Sequence, residues 1–339
     1  MKILVTGGAG FIGSNLISIG PFGASDTFVA IDKLTYAADP RYLQTALGEG
    51  RAQLVCGDIA DERLVYNLLH GIDAVIHLAA ESHNTRSESD PEVFFKTNVE
   101  GTRSLMTTIR RFLADHPEKR IHVTYVSTDE VYGPARPGVF FKEEDFGKPD
   151  NQPTSAYSKS KYQADYLMQT EFDDLQPLIV RPTNNFGARQ HPEKALPRWI
   201  CAAIDNKPIE VWGEGKQVRD WLYVGDTSKI ITCLIAYGKT GVINIGANHQ
   251  PEITNIEIAR KVSAILEKDE SLIKFVPDPR PKHDFRYGVD TMKLRNLRVV
   301  GEDVWPGNFE KQLLSTVRWY LNNEAIWRPK IAEAEALYK

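Results

Sequence analysis

The chain has 339 residues, 42% of them hydrophobic and 25% charged, a balance that fits one large or two interleaved soluble domains with a sizeable core. Its formal net charge of −4 is spread along the chain, and the basic pairs Arg110-Arg111 and Lys119-Arg120 read as solvated helix ends, which excludes an electrostatic footprint for nucleic acid. Cys56, Cys201 and Cys233 sit in apolar contexts without CxxC or Cys/His spacing, and the eight histidines show no metal spacing, so buried reduced thiols and no metal site are expected.

Lys2-Ile3-Leu4-Val5-Thr6 opens the chain as a strand, without leader-like flanks, and no apolar run reaches membrane-spanning length. A cytoplasmic protein is the expectation. Val/Ile/Leu-rich runs recur at Ile3–Thr6, Thr27–Ile31, Ala52–Val55, Ala74–Leu78, Ile121–Val126 and Leu178–Val180, and helix-like spacing appears at Val93–Leu113 and Ala156–Glu171. Continuous apolar strands alternating with helices predict an α/β fold, a doubly wound parallel sheet of the Rossmann kind covered on both faces. From Pro182 the chain becomes richer in Pro, Trp and loop signals, then returns to strand and helix at Trp221–Tyr237 and Gly241–Ile245. The expected division is a sheet domain over 1–181 with 221–246, and a smaller interleaved lobe over 182–220 with 247–339. A ligand belongs in the crevice between them.

Gly7-Gly8-Ala9-Gly10-Phe11-Ile12-Gly13 follows the first strand and opens a helix. The turn needs backbone freedom, phosphates need close approach to a helix N-terminus, and the strand–helix contact needs a missing side chain. Asp32 ends the next strand about twenty residues on, where a carboxylate accepts from both ribose hydroxyls and repels a 2′-phosphate. This predicts a dinucleotide, NAD rather than NADP. Asp58, after the third strand, stands where an adenine amino group could be read or where a plain turn would place an aspartate. Leu78-Ala79-Ala80 ends the fourth strand in small residues, as under a cofactor, whereas His77 reads as a core histidine.

Tyr157 and Lys161 lie four apart, on one face of a helix. A neighbouring ammonium and a positive nicotinamide ring would lower the phenol's pKa, making a tyrosinate able to take a hydroxyl proton while hydride leaves the same carbon. Ser127 and Thr128 supply strand-end hydroxyls, and the adjacent carboxylates Asp129 and Glu130 follow them directly.

The glycine turn, the YxxxK pair and the strand-end hydroxyls resemble the extended short-chain dehydrogenase/reductase family. Within it the chain is most similar to nucleotide-sugar 4,6-dehydratases of the kind acting on dTDP-glucose. The segments "DKLTYA" (Asp32–Ala37), "HLAAESH" (His77–His83), "TNVEGT" (Thr97–Thr102), "STDEVYG" (Ser127–Gly133), "NNFGARQHPEK" (Asn184–Lys194), "GKQVRDWLYV" (Gly215–Val224) and "RPKHDFRY" (Arg280–Tyr287) carry the likeness over nearly the whole chain. In such enzymes hydride leaves hexose C4 for NAD, the 4-keto group acidifies C5–H, water is lost across C5 and C6, and hydride returns to C6.

The resemblance implies Tyr157 with Lys161 as the oxidising pair, Thr128 ordering the sugar hydroxyl, Glu130 as base at C5 and Asp129 as acid for the leaving hydroxyl. The two carboxylates can divide that labour only if their surroundings push their pKa values apart. Cofactor contacts carry over to Gly7, Gly10, Phe11, Ile12, Gly13, Asp32, Lys33, Leu34, Thr35, Asp58, Ile59, Leu78, Ala79, Ala80, Ser82, Thr97, Tyr157, Lys161 and Asn185. The nucleotide-sugar pocket carries over to Asn184, Lys194, Ala195, Glu210, Val211, Trp212, Arg219, Asn255, Arg280 and His283, with Glu81, Ser82 and His83 facing the hexose. Arg219 and the Arg280/His283 pair suit a diphosphate because a guanidinium grips phosphate in bidentate fashion; Trp212 reads equally as lobe core.

Two segments depart from the family, and Arg189 and His191 stand where it more often has proline and an aromatic residue. Its usual "SHVDRS" reads Ser82-His83-Asn84-Thr85-Arg86-Ser87, losing a carboxylate beside the sugar, and its "DRPGHD" reads Pro279-Arg280-Pro281-Lys282-His283-Asp284. Family members pair as homodimers through two helices, here Val93–Leu113 and Ala156–Glu171. The alternatives are a 4,6-dehydratase of another nucleotide sugar, an epimerase or decarboxylase, and an NAD-sensing regulator, which would lack Tyr157, Lys161 or the carboxylate pair.

Overall fold

A computed structural model describes residues 1–19, 23, 25–278, 284–301 and 305–337. Strands β1 (Lys2–Thr6), β2 (Thr27–Asp32), β3 (Ala52–Cys56), β4 (Ala74–His77), β5 (His122–Val126) and β6 (Leu178–Pro182) form a parallel sheet with the strand Gly241–Ile245, in the order Gly241–Ile245, β6, β5, β4, β1, β2, β3. Both faces are covered. In β1, Ile3 and Val5 point into one core with Ala30, Ile76, Val180, Ile230 and Leu234, while Leu4 points into the opposite core with Val29, Val75, Tyr125, Ile109 and Met168. That is why the strands are apolar at consecutive rather than alternate positions.

The chain crosses from β3 back over β1 to β4, so the strand order reverses between β1 and β4. Their carboxyl ends, Thr6 and His77, stand side by side in register, and such reversals open a crevice. A third core of Phe186, Trp199, Ile200, Val211, Ile258, Val262, Leu313, Val317, Tyr320 and Trp327 lies outside the sheet and comes entirely from residues beyond Pro182.

Three expectations need correction. Cys201 is buried, but Cys233 is half-buried and Cys56 exposed, because Cys56 ends β3, the outermost strand, which has only one neighbour. The helix read over Val93–Leu113 is not uniform: Pro91–Phe95 and Thr102–Asp115 are α-helical, and Lys96–Gly101 between them is a wider π-turn. The strand read to Leu78 stops at His77, since the Leu78 amide turns to bond the Thr6 carbonyl at 3.2 Å and its hydroxyl at 3.1 Å.

Among the described residues no helix is long and apolar enough to cross a membrane, and no group of three or more His, Cys, Asp or Glu side chains could hold a metal ion.

Candidate active site

The first cleft, of ≈ 390 Å³, opens at the β1/β4 reversal. Helix α1 (Phe11–Ile19) begins on its floor, presenting first-turn N–H groups that have no intrahelical partner. Gly7 holds φ +68°, and a β-carbon there would come within 2.9 Å of the Ala79 backbone; one on Gly13 would stand 2.4 Å from the Gly7 carbonyl. Only glycines allow a turn this tight between strand and helix.

A buried chain of two hydroxyls and an imidazole fixes the opposite wall. Thr102 Oγ1 donates to the Asn98 carbonyl at 2.6 Å, so it accepts from His77 Nε2 at 2.9 Å, and His77 Nδ1 in turn accepts from Thr6 Oγ1 at 2.7 Å. Thr6 Oγ1 then receives the Leu78 and Ala79 amides, each at 3.1 Å. The ring is neutral, its pKa lowered to about 3 by burial. His77 is thus the core histidine expected, holding Leu78–Ala80 against the glycine turn.

The π-turn has a related task. Asn98 accepts from the Glu81 amide at 2.8 Å, donates to the Glu81 carbonyl at 3.0 Å and to Ser160 Oγ at 2.9 Å, joining the end of β4 to the helix Ala156–Thr170, which carries Tyr157 and Lys161. π-turns of this kind concentrate at functional sites.

Gly7, Gly10, Phe11, Ile12, Gly13, Asp32, Lys33, Thr35, Asp58, Ile59, Leu78, Ala79, Ala80, Ser82, Thr97, Tyr157 and Lys161 all line this cleft. Asp32 accepts from the Ala9 and Leu34 amides at 2.9 and 2.8 Å, and burial raises its pKa against the pull of those two bonds; each oxygen keeps a further lone pair. Asp58 binds Lys33 Nζ at 2.8 Å across the rim.

Two residues expected at the cofactor do not line this cleft. Leu34, at φ +56°, turns its side chain into the core beside β1, leaving only its amide on Asp32. Asn185 lines the second cleft instead, its Oδ1 accepting from Thr227 at 2.5 Å.

The second cleft, of ≈ 160 Å³, continues the first, with Ser82, Gln190, Glu193 and Lys194 on both. Its wall includes His83, Glu130, Asn184, Ala195, Trp212, Arg219 and Asn255, as the sequence predicts. Glu81 belongs instead to the first cleft, its carboxyl raised chiefly by burial. Glu210 and Val211 do not line the second: they alternate along the strand Ile209–Trp212, so Val211 enters the outer core, Glu210 faces solvent, and Trp212 alone of the three reaches the cleft.

Arg219 commits nitrogens to the carbonyls of Val218, Asp284 and Phe285 at 2.7 to 3.0 Å, so it fixes the segment Asp284–Phe285 as well as lining the wall. Arg280 and His283 lie outside the described residues.

Thr128 caps the single turn Asp129–Tyr132, accepting from the Glu130 amide at 3.4 Å. The cap puts both carboxylates at the carboxyl end of β5. Asp129 is buried and, like Thr128, lines neither cleft; its Oδ1 accepts from Thr128 at 3.1 Å and its Oδ2 has no hydrogen-bond partner. Burial, then the Glu130 charge, push its pKa up to about 8. Glu130 is also raised by burial, but Asn84 Nδ2 at 3.3 Å and the charges of Arg219 and Lys194 pull it down. The surroundings therefore keep Asp129 protonated near neutrality and favour ionised Glu130 more.

The oxidising pair departs from expectation. Lys161 donates to the Val126 carbonyl at 2.8 Å and lies 4.3 Å from the Tyr125 ring centre, with its pKa lowered to about 7 by burial. Burial and the Glu130 charge raise Tyr157, against the pull of the Thr128 hydroxyl. Desolvation disfavours both charged forms, so the lysine does not by itself produce a tyrosinate.

The sequence reading missed several residues here. Asn84, noted only as a departure from the family, is the side-chain amide on Glu130. Tyr287 lies 3.4 Å from Glu130 Oε2, and Glu193, buried, accepts from Tyr36 at 2.9 Å and Arg86 at 2.8 Å between the clefts. None sits in a pattern whose spacing reports contact across 46 to 157 residues.

A glycine-turned crevice in a parallel sheet, with a tyrosine, a lysine and two buried carboxylates at its far end, defines a dinucleotide-dependent enzyme class that works on alcohols and adjacent carbons. The chain belongs to the NAD dependent epimerase/dehydratase family, whose model matches residues 3–246. It is 38% identical over 332 residues to the low-salt glycan biosynthesis protein Agl12 of Haloferax volcanii, spanning 96% of this chain and 100% of that one. It is 38% identical over 339 residues to a dTDP-glucose 4,6-dehydratase of Xanthomonas campestris pv. campestris, spanning 95% and 93% of the two chains. Among solved structures, the dTDP-glucose 4,6-dehydratase DesIV of Streptomyces venezuelae, with NAD and TYD bound, superposes with a TM-score of 0.85 at 35% identity, covering 97% of this chain and 100% of that chain.

Proposed function

We propose that the chain is a dTDP-glucose 4,6-dehydratase, a hydro-lyase forming the 4-keto-6-deoxy sugar nucleotide. The observation that carries this reading is the buried pair Asp129 and Glu130 at the end of β5: burial raises both, the Glu130 charge raises Asp129 further, and Asn84, Arg219 and Lys194 pull Glu130 back. A C4 epimerase needs no such pair, and full-length similarity to dTDP-glucose 4,6-dehydratases supports the same choice.

The first cleft fits NAD: its glycine turn leaves no room for side chains, and the buried Ser127 hydroxyl on its wall has no protein partner. NAD, when bound, supplies the redox chemistry and the positive charge of its oxidised ring. Tyr157 takes the C4 hydroxyl proton, with Thr128 ordering that hydroxyl and Lys161 favouring the phenolate in the field of the ring. Glu130 removes the proton from C5 and Asp129 protonates the hydroxyl leaving C6. Asn84, Asn184, Lys194 and Arg219 hold the sugar nucleotide in the second cleft. The chain also works as a homodimer in the cytoplasm, pairing through the helices that carry Val93 and Tyr166, which expose 41% and 53% of their surface.

Mass spectrometry tests the substrate. Incubated in heavy water with NAD and, separately, dTDP-, UDP-, GDP- and CDP-glucose, the protein is expected to remove one water from dTDP-glucose and leave deuterium at C5. No loss of water from any of the four overturns the dehydratase reading, and loss from another nucleotide alone changes the substrate.

The pH profile tests the acid. kcat/KM is expected to fall as pH rises through about 8, because Asp129 then loses the proton it must donate. In Asp129→Asn that alkaline limb disappears along with most of the rate; a limb that survives the substitution belongs to another group.

A further inference from the structure

Glu130 Oε2 meets two side chains. Asn84 Nδ2 stands at 3.3 Å and donates, whereas Tyr287 Oη stands at 3.4 Å. The phenol has one proton, and a nearer acceptor takes it: Asp284 Oδ2 lies 2.6 Å from Tyr287 Oη and also accepts from Thr154 Oγ1 at 2.6 Å. Tyr287 therefore turns an oxygen lone pair toward Glu130. A carboxylate has nothing to offer that lone pair, but a carboxylic acid does, so this contact suits Glu130 only after it has gained a proton.

The chain Glu130, Tyr287, Asp284 also runs outward. Glu130 and Tyr287 are 8% and 5% exposed, while Asp284 is half-buried at the surface end. The segment is held in place: Val218 N donates to Phe285 O at 2.9 Å, and the Arg219 guanidinium lies 4.8 Å from the Tyr287 ring centre while bonding the Asp284 carbonyl at 2.8 Å.

We propose that Tyr287 and Asp284 form a proton relay that exchanges the proton on Glu130 with solvent. The inference rests on the reading of Glu130 as the base at C5. When Glu130 has taken the C5 proton, its O–H bond breaks toward Tyr287 oxygen as the phenol O–H bond breaks toward the Asp284 carboxylate. Glu130 becomes the anion and Asp284 the acid. Asp284 trades that proton for one from water, and the reverse transfers place a solvent proton on Glu130, ready for return to C5. No electrons move, and one proton leaves for each that enters. Tyr287 touches the base rather than the substrate, so it is a positioning and relay residue.

The test reads isotope rather than rate. Full-length protein with NAD and unlabelled dTDP-glucose in heavy water is sampled within the first turnover, and the product is analysed for water loss and for deuterium at C5. Wild type is expected to carry deuterium at C5, whereas Tyr287→Phe returns the abstracted protium and lowers that deuterium several-fold. Asp284→Asn keeps the phenol but removes the terminal proton acceptor, and is expected to lower it likewise.

A several-fold fall in either variant that still eliminates water supports the relay. Wild-type deuterium in both variants overturns it, with water reaching Glu130 directly. Loss of elimination in both also overturns it, since the residues then serve the elimination itself. If wild-type protein eliminates no water from dTDP-glucose, the dehydratase reading fails and the relay with it.

Discussion

Glu130→Gln is expected to lower water elimination by about 10²–10⁴-fold, the usual worth of a positioned general base, while bound NAD is still reduced on adding dTDP-glucose. The amide matches the carboxylate in shape and can still meet Asn84, through its oxygen in place of Glu130 Oε2. What it lacks is basicity, so oxidation at C4 proceeds and the C5 proton stays. The near-ultraviolet absorbance of the reduced nicotinamide would then rise and persist instead of returning to baseline within a turnover. Rapid-mixing absorbance with product analysis reads both halves at once. A fully active variant refutes the role of Glu130, and loss of the absorbance rise places the residue in the oxidation instead.

Tyr157→Phe is expected to remove the oxidation itself, lowering the rate of NAD reduction by about 10²–10⁴-fold with no absorbance rise on mixing. The ring fills the same space against Phe94, whose centroid lies 6.4 Å away, so nucleotide-sugar affinity measured by calorimetry should stay near wild type. Retained affinity with no reduction separates a lost proton acceptor from a collapsed pocket. The contrast with Glu130→Gln is the stronger test, because the proposed division requires the two variants to stop at different steps. Failure of both before NAD reduction overturns that division.

Much of the fold was legible because its signals are local. A parallel sheet buried on both faces demands apolar residues at consecutive positions, so β1, β2, β4, β5 and β6 announce themselves within four to six residues each. The glycine turn is legible for the same reason: Gly7 to Gly13 is one strand-to-helix junction whose sterics involve its own backbone, Ala30 of β2 and the Leu78–Ala79 segment after β4. Edges were harder. Cys56 looks as apolar in context as Cys201, and only strand order shows that β3 lacks an outer neighbour.

Tyr157 and Lys161 could be placed on one helical face from spacing alone, and Asp129 and Glu130 at a strand end from the run before them. Their protonation could not be read, because it depends on the depth of burial and on Asn84, Lys194 and Arg219, which arrive from three other parts of the chain. The same limit explains Glu210 and Val211. A strand turns successive side chains to opposite faces, and only the packing of the outer core decides which face meets the cleft.

The parallel sheet, the dinucleotide turn and the identity of the chemical groups are written in the amino-acid order, since each follows from steric and polar demands within a short segment. It took the folded chain to bury Asp129 beside Glu130 and raise it, to bring Asn84 and Tyr287 together on Glu130, and to join the two clefts at Lys194. Desolvation and charge proximity are properties of space rather than of chain position, and folding creates them.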